Sequence, residues 1–457
     1  MIILLVIYVL AFTISLAGIL KGHRERIFIF VVLGLPIYFT ALSIAYINGL
    51  GAFIPLLQSC KEIIILITLG VLLYNRKQPI QFHTLDWLII AYFTYTLVYT
   101  LLPIGDFSFT DRLLAFKSLS FFPLVYFTGR LLDSSKVNFN NYFSYICIVA
   151  ILAGCVLIIE AIRYEHLQLY TGYAEFNRQF FKQEPGGNFG LSWTFETSNG
   201  LKRFASFYGG PLELGANTVC TVSVAIALST NHKNRFQPNN LIIATLAFSL
   251  YAIFMALSRA AFVSYFFIIY IYAFLTENKT VLKIFHYGII AAIIAGGFWL
   301  QGDLYDWVMN TIDFSDSSSA FHVMQWLDGL NAIQTHPMGM GIGMSGRVSS
   351  ANDSNVGGEN QLIIIGVQAG LIAVLLYVAI YIYTIRTCIN VFRHTTGKSR
   401  KPALALLLIK IGIIIPLLTA NTESYIYLSY FTWLLTGIVA NLIRSKSPIQ
   451  KPFITAA

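Results

Sequence analysis

Stretches of about 20 predominantly apolar residues recur along the whole chain, separated by polar connections. A helix of about 20 residues crosses the roughly 30 Å hydrocarbon core of a bilayer, and it satisfies its own backbone hydrogen bonds there. Of the 457 residues, 56% are hydrophobic and only 11% are charged, whereas soluble domains contain about 25% charged residues. The pattern therefore predicts an all-α polytopic membrane protein.

The apolar pattern predicts roughly thirteen transmembrane helices, with about 12–14 as the range. We place them at residues 1–20, 27–48, 51–74, 84–103, 113–133, 141–163, 206–229, 239–256, 260–276, 282–301, 360–385, 403–420 and 425–443. The first stretch has no basic head and no small-residue cleavage site, so we expect a retained helix and not a signal peptide. No soluble domain and no internal repeat interrupts the series, so residues 1–457 are predicted to form a single membrane domain.

Basic residues fall on alternate connections, which gives the predicted topology. They cluster at 21–26, 75–77, 130–136, 233–235, 279–283, 386–401 and in the tail after 443. By the positive-inside rule these connections face the cytoplasm. The two long loops, 164–205 and 302–358, then both lie on the external face. The net charge of +9 is explained by these connections, so we do not expect a nucleic-acid partner.

The five cysteines contain no Cys-x-x-Cys pair and lie mostly inside apolar runs. This arrangement predicts neither a disulfide framework nor a zinc site. Asp313 and Asp316 in the second long loop have an Asp-x-x-Asp spacing, and no Asp-x-Asp motif of the kind that binds a metal in nucleotide-sugar enzymes is present there. We therefore expect no metal and no other cofactor.

Two arginines stand at predicted external helix mouths. Arg203 ends the first long loop just before a Gly-Gly-Pro helix start, and Arg259 lies in a very short connection between two apolar runs. Each could extend to lipid phosphates. The functional alternative is that the two guanidinium groups grip a pyrophosphate, because the planar fork of arginine matches phosphate oxygens in bidentate geometry.

Polar residues within the predicted spans form a second set of candidates. Glu213 and Asn217 are four residues apart, so they share a helical face just inside the membrane. Polar residues at that depth either take part in function or form hydrogen bonds between helices. Lys61 and Glu62 lie in the third span. Their side chains point about 100° apart on a helix, so we expect partners on another helix or a proton pathway and not a mutual pair. Arg112 and Lys117 could add to a positive external pocket.

The second long loop supplies further candidates and ends at a helix head. His322 and Trp326 are four apart, as on a short interfacial helix, and Arg347 and Asp353 follow. Residues 341–346 match G-x-G-x-x-G, but no strand precedes them, so we reject dinucleotide binding and expect tight turns or close approach to a ligand. Glu359, Asn360 and Gln361 then stand at the mouth of the next span, as an interfacial cap or as a reaction site.

The order of these motifs resembles the O-antigen ligase and polymerase superfamily of bacterial envelopes. The motifs that carry the resemblance are R-x-x-S-F-Y-G-G-P from Arg203, the Ser258-Arg259 turn, H-P-M-G-M-G-I-G from His336 and E-N-Q-L-I-I-I-G-V-Q-A-G-L-I-A from Glu359. The resemblance covers the chain from Arg203 onward, with residues 203–385 as the core region. The helices before it match only in being hydrophobic.

The resemblance implies a metal-independent glycosyltransferase in the bacterial inner membrane. Its donor would be a glycan on undecaprenyl pyrophosphate at the outer membrane face, and residues matching Arg203 and Arg259 bind the pyrophosphate. The ligases carry histidine where this chain has Glu359, which favours a polymerase or a relative acting on teichuronic or capsular repeats.

We therefore expect this protein to polymerise undecaprenyl-pyrophosphate-linked repeat units into O-antigen, capsular or exopolysaccharide chains. Arg203, Arg259 and Glu359 would be catalytic, with Glu359 as general base. Substrate-binding roles are predicted for Glu213, Asn217, His322, Arg347, Asp353 and Asn360, and His322 and Asp353 are the alternative bases. The expected partners are the lipid-linked glycan, membrane lipid, a chain-length regulator and a flippase. The alternatives are an O-antigen ligase, which transfers the glycan to a lipid or other acceptor, and a polysaccharide flippase or other transporter.

Overall fold

The described part of the protein is built from helices. A computed structural model describes residues 2–299, 317–350 and 355–442, and within these ranges it has no β-strand beyond two isolated bridges. We number the helices α1 (Ile2–Leu20), α2 (Arg24–Ile47, which contains a π-helical turn), α3 (Ile54–Tyr74), α4 (Thr84–Leu101), α5 (Phe109–Ser120), α6 (Phe122–Leu131), α7 (Phe139–Arg163), α8 (Tyr173–Phe181), α9 (Pro211–Ser229), α10 (Asn240–Ala256), α11 (Arg259–Leu275), α12 (Lys279–Trp299), α13 (Ser317–Thr335), α14 (Gln361–His394), α15 (Arg400–Thr419) and α16 (Ile426–Leu442).

The lengths and composition of these helices confirm the prediction of an all-α polytopic membrane protein. Within the described ranges, eight helices are long and apolar enough to cross a membrane, and α10, α11 and α16 are shorter apolar helices. The protein is thus a multi-pass membrane protein. Helix α12 occupies most of the predicted span at 282–301.

The predicted single span at 113–133 is wrong. Two short helices, α5 and α6, occupy this region and are separated at Phe121. Pro123 lies in the first turn of α6. The N–H groups of a first turn have no partner within the helix, so proline loses no hydrogen bond there. In a continuous helix through this position, the missing N–H of proline would remove one hydrogen bond. Arg112 on α5 donates from Nη1 to the Thr100 carbonyl (3.0 Å) and also to that of Leu102. Arg112 therefore stabilises the end of α4 and does not contribute to an external pocket.

Helix α9 lies at the centre of the bundle, with 89% of its apolar window buried. It packs against α7, α10, α11 and α15, while α16 packs along α6. At the α6–α16 contact, a Cβ atom added to Gly129 would lie 2.0 Å from the Leu434 carbonyl oxygen. Glycine here permits the close backbone approach that holds transmembrane helices together.

Helix α14 is broken in its middle, although its sequence predicts an uninterrupted apolar run. Gly370 has φ 75° and ψ −178°, a conformation that is essentially restricted to glycine. The segment from Pro337 to Gly341 fills the break: the Met340 and Gly341 amides donate to the Val367 (2.7 Å) and Gln368 (3.2 Å) carbonyls. Non-helical backbone within a membrane is tolerated only where other protein groups form hydrogen bonds with its N–H and C=O groups. Gly339 thus permits close packing against α14, whereas Gly341 permits close packing against Ile104 and Gly105.

The first long loop is folded and tied to the helices. The buried Glu160 carboxylate at the end of α7 accepts hydrogen bonds from the amides of Leu167 (2.8 Å) and Ser206 (2.9 Å). The Gln168 side-chain amide donates to the Ser206 (2.8 Å) and Tyr208 (3.1 Å) carbonyls. Both ends of the loop are therefore fixed to each other, which places Arg203 at a defined position.

Candidate active site

A cavity of about 680 Å³ opens beside α9, α11, α13 and the connection between α15 and α16. It brings together Arg203, Arg259, His322 and Glu359, four of the residues selected from the sequence. These residues come from the first long loop, the α10–α11 turn, α13 and the residue preceding the cap of α14. The volume lies within the range of roughly 300–1,000 Å³ that is usual for ligand pockets.

Arg203 is held by backbone on both sides. Its amide donates to the Phe195 carbonyl (2.9 Å), and its Nε donates to the carbonyl of Ala256 (2.9 Å), the last residue of α10. The Phe204 amide also donates to the Met255 carbonyl (3.0 Å). The loop is therefore joined to the end of α10, and the guanidinium lies in the cavity wall in a fixed orientation.

Arg259 is placed by the turn that follows. Leu257 ends α10 in the left-handed conformation (φ 46°), and Ser258 caps α11 by accepting a hydrogen bond from the Ala261 amide (3.4 Å) on its side-chain oxygen. Such a cap fixes where a helix begins. Arg259 is the first residue of α11 and lines the same cavity as Arg203.

Glu359 and His322 both line the cavity, His322 from α13 and Glu359 from the position before the Asn360 cap of α14. Burial of the Glu359 side chain raises the pKa of its carboxyl, while the charges of His322 and Arg203 act in the opposite direction. A carboxyl with a raised pKa is a better proton acceptor when deprotonated than an ordinary surface carboxylate. Among the residues that the structure describes, the buried His322 Nδ1 and Trp326 Nε1 have no hydrogen-bond partner. Buried polar atoms are normally paired, so these two atoms can bind a ligand.

Three of the predicted substrate-binding residues lie elsewhere. Asn360 caps α14, since its Oδ1 accepts from the amides of Leu362 (2.9 Å) and Ile363 (3.3 Å). Glu213 accepts from the Gly209 amide (3.1 Å), and the buried Asn217 makes no side-chain hydrogen bond within the described residues. The face of α9 that lines the cavity carries Leu212 and Ala216 instead. None of the three residues lines the cavity, and their role in substrate binding stays a prediction.

The remaining sequence candidates cannot be located in the cavity. Asp353 lies outside the described residues, as do Asp313 and Asp316. Arg347 begins a single helical turn that ends at Ser350, and its side chain is outside the described set.

Sequence reasoning missed the contribution of the first long loop to the cavity wall. The buried Glu196 accepts from the Asn188 amide (3.0 Å) on Oε1 and from the Asn188 side chain (2.8 Å) on Oε2. Both residues line the cavity together with Trp193 and with Tyr425 from the α15–α16 connection. A Trp three residues before an acid in the first long loop was the available signal, since exposed Trp is unusual away from interfaces.

The cavity combines two guanidinium groups, a carboxylate with a raised pKa and an imidazole. Two arginines can bind and stabilise a phosphate-type anion, and the carboxylate or imidazole can accept a proton beside it. In the described ranges, no group of three or more His, Cys, Asp or Glu side chains is arranged to hold a metal ion.

The fold and this cavity define a multi-pass α-helical membrane protein whose helices enclose a cavity lined by two arginines, a histidine and a glutamate. No known protein family's sequence model matches the chain, and no curated protein matches it either.

Proposed function

We propose that this protein is a polysaccharide polymerase that joins oligosaccharide repeat units linked to undecaprenyl pyrophosphate. The observation that carries the proposal is the gathering of Arg203, Arg259, His322 and Glu359 in one cavity. These residues are far apart in the sequence, and a lipid-anchor role would not require the two arginines to share a cavity with a proton acceptor.

The proposed reaction is a direct displacement at a sugar carbon. Glu359 removes the proton from a hydroxyl of the acceptor glycan, and the oxygen attacks the anomeric carbon of the donor glycan. The bond between that carbon and the pyrophosphate oxygen breaks, and the lipid pyrophosphate leaves with the electron pair. Arg203 and Arg259 stabilise the negative charge that develops on it, which is the largest contribution that fixed donors make to such reactions.

The apolar part of the cavity wall suits the lipid part of the donor. Leu212, Ala216 and Pro416 lie in this wall, next to membrane-spanning helices along which a polyprenyl chain can lie. We place the reaction at the outer face of the bacterial cytoplasmic membrane, because the positive-inside rule puts both long loops there. A flippase would supply the lipid-linked units, and a chain-length regulator would act on the product.

An O-antigen ligase is the second candidate, and His322 is the observation that favours it. The imidazole in the cavity could take the role of the histidine that the ligases carry at the position of Glu359. The donor chemistry would be the same, but the acceptor would be a different lipid or glycan.

Deletion of the gene in its own host tests the proposal. We expect single repeat units to accumulate on the lipid carrier and long chains to vanish, as seen by mass spectrometry of extracted lipids and by gel analysis of the polysaccharide. Accumulation of long lipid-linked polymer that is not transferred would identify a ligase. Long chains at normal abundance would reject both functions.

A further inference from the structure

A second cavity, of about 450 Å³, lies between α2, α3, α5, α6, α8 and the start of α16. None of the residues assigned to the reaction lines it. It is nevertheless adjacent to the first cavity, because Ser424 and Ile426 line the second while Tyr425 lines the first. Consecutive residues of the chain are about 3.8 Å apart between their Cα atoms, so the turn from Ser424 to Ile426 separates the two cavities.

A cluster of charged groups lines the second cavity. The Lys61 Nζ lies 2.9 Å from the Glu62 Oε1, and the Lys117 Nζ lies 3.2 Å from the same oxygen. The expectation that Lys61 and Glu62 do not pair is therefore wrong, because the long lysine stem bends its ammonium back toward its neighbour. Lys61 also donates to the hydroxyl of Tyr38 (3.1 Å). The other carboxylate oxygen of Glu62 is buried and has no hydrogen-bond partner among the described residues.

Aromatic rings form much of the remaining wall. They belong to Tyr38, Phe121, Phe122, Phe180, Phe181 and Tyr430. The second cavity thus combines flat apolar faces with hydrogen-bond donors and acceptors of both charges. A sugar presents the same combination, since its C–H faces pack on rings while its hydroxyls both donate and accept.

We propose that the second cavity binds the glycan of the acceptor substrate. This inference rests on the proposed function, because a reaction between two glycans needs the acceptor to reach the donor pyrophosphate across a short distance. The shared turn at Ser424–Ile426 provides that proximity. The unpaired oxygen of Glu62 accepts from a sugar hydroxyl, and Lys117, whose side chain is 50% exposed, donates to another.

A lipid chain is the competing occupant, and the charged lining argues against it. Placing an acyl or prenyl chain against the half-exposed ammonium of Lys117 would remove its water without providing a new hydrogen-bond partner, which costs free energy. A glycan replaces the lost water with hydrogen bonds. Lining residues such as Lys117 and Ser118 on α5 are exposed, so a ligand can reach them from outside.

The test uses a glycan that cannot act as a donor. Lipid-linked units are extracted from cells that lack the gene, the oligosaccharide is released with mild acid, and its reducing end is reduced with tritiated borohydride. This probe has no pyrophosphate. Its binding to the full-length protein in lipid nanodiscs is measured by equilibrium dialysis.

We expect wild-type protein to retain the probe and Lys117→Ala to weaken its binding by about tenfold or more, since a hydrogen bond to a charged group is lost. Ser118→Trp, which fills the cavity without removing a buried contact, should reduce binding as strongly. Arg203→Ala should bind the probe like wild type, because it alters only the first cavity.

Three results would overturn the inference. The probe could fail to bind wild type, it could bind Lys117→Ala and Ser118→Trp normally, or its binding could depend on Arg203 alone. If wild-type protein binds no glycan but copurifies with phospholipid, and Ser118→Trp loses that phospholipid, the second cavity is a lipid site. One combination of results separates this inference from the proposed function. If wild-type protein binds the probe and Lys117→Ala does not, while the deletion strain still makes normal long chains, the second cavity is a glycan site but the protein is not the polymerase.

Discussion

The Nε of Arg203 donates a hydrogen bond to the carbonyl oxygen of Ala256 (2.9 Å), three residues before Arg259. The α10–α11 turn therefore positions both arginines. Arg259 directly follows the turn in the chain, and Arg203 is held to it by this hydrogen bond. Using the Nε in this way leaves the two terminal nitrogens of Arg203 as the atoms that can contact a ligand. A group that binds one arginine is necessarily close to the other.

Replacement of either arginine should abolish most of the activity. We expect Arg203→Ala or Arg259→Ala to lower the rate of polymer formation by on the order of 10²–10³, because a donor to the leaving group is lost. Lysine should restore little, since it keeps the charge and loses the fork. The measurement is polymer formation by membranes of known protein content.

Arg178→Ala is the matched control for these variants, since Arg178 is an exposed arginine on α8 in the same loop. Neighbouring Lys202 is unsuitable: its ammonium lies 4.3 Å from the ring centre of Tyr164 and 4.6 Å from that of Phe189. Near-normal rates in both lysine variants would show that Arg203 and Arg259 serve only to anchor the protein to lipid.

The role of Glu359 predicts a specific pH dependence. Burial raises the pKa of Glu359 above its ordinary value of 4.5, and a general base acts only when it is deprotonated. The rate should therefore be full at high pH and fall as the pH drops, with a midpoint above 4.5. Glu359→Gln should remove both the activity and this pH limb, whereas Glu359→Asp should retain part of each. High activity in Glu359→Gln together with its loss in His322→Gln would move the base to His322.

The first long loop should become less stable in acid because of His166. This side chain is fully buried among Phe189, Phe195 and Phe204. Burial, with a smaller effect from the charge of Lys202, lowers its pKa from 6.5 to about 4. Between these two pH values, His166 binds a proton when the loop is open but not when it is closed. The free energy that favours the closed loop is therefore complete above pH 6.5. Between pH 6.5 and about 4 it falls by roughly 1.4 kcal/mol per pH unit.

Hydrogen exchange of the backbone amides at residues 195–205 measures this effect. Exchange at pH 5 should be faster than at pH 7.5 after correction for the intrinsic rate. A His166→Phe variant should lose the excess, because phenylalanine fits the aromatic surroundings and does not titrate. Equal protection at the two pH values in wild type would contradict the prediction.

The break in α14 should not tolerate a side chain at Gly370. A Cβ there would lie 2.4 Å from the Met338 carbonyl carbon, in addition to the positive φ, so we expect Gly370→Ala to destabilise the protein by about 1–3 kcal/mol. Thermal unfolding of detergent-solubilised protein measures the effect. Gly288→Ala on α12 is the control, because a Cβ there meets nothing within 4 Å. Similar melting temperatures for the two variants would refute the account of the break.

The topology predicts which loops are accessible from outside the cell. A cysteine replacing the exposed Glu184 in the first long loop should react with an impermeant thiol reagent in intact cells. One replacing Lys233, between α9 and α10, should react only after the membrane is opened. The background is Cys155→Ala, since the other four cysteines are buried. Labelling of the Lys233 site in intact cells would invert the topology and remove the external site.

The sequence is sufficient to predict the fold class and to select four charged or titratable residues that line the first cavity. Apolar periodicity identifies the helices, and charges at helix mouths identify Arg203, Arg259 and Glu359, because such positions need a partner or a ligand. The rotation of a helix is harder to predict: α9 presents Leu212 and Ala216 to the cavity, and a shift of one residue moves a side chain by about 100°. Because of that rotation, Glu213 and Asn217 do not line the cavity.

Contacts that depend on the path of a loop or on the conformation of a flexible side chain could not be predicted from local patterns. The bonds between Asn188 and Glu196 arise from the path of a loop, and nothing in their spacing indicates them. The pairing of Lys61 with Glu62 depends on the conformation of a flexible lysine in a cavity that six helices form together. The break at Gly370 is hidden in an apolar run, because its partner lies some 30 residues earlier in the chain.

The filled break in α14 also has a mechanical consequence. Helix α13, which carries His322, runs directly into the segment whose amides at Met340 and Gly341 bond to α14. In return, the Leu371 amide donates to the Pro337 carbonyl (2.9 Å). The segment therefore links α13, which borders the first cavity, to the part of α14 that follows the break at Gly370. Helix α13 and the part of α14 beyond Gly370 therefore cannot move apart without breaking these hydrogen bonds.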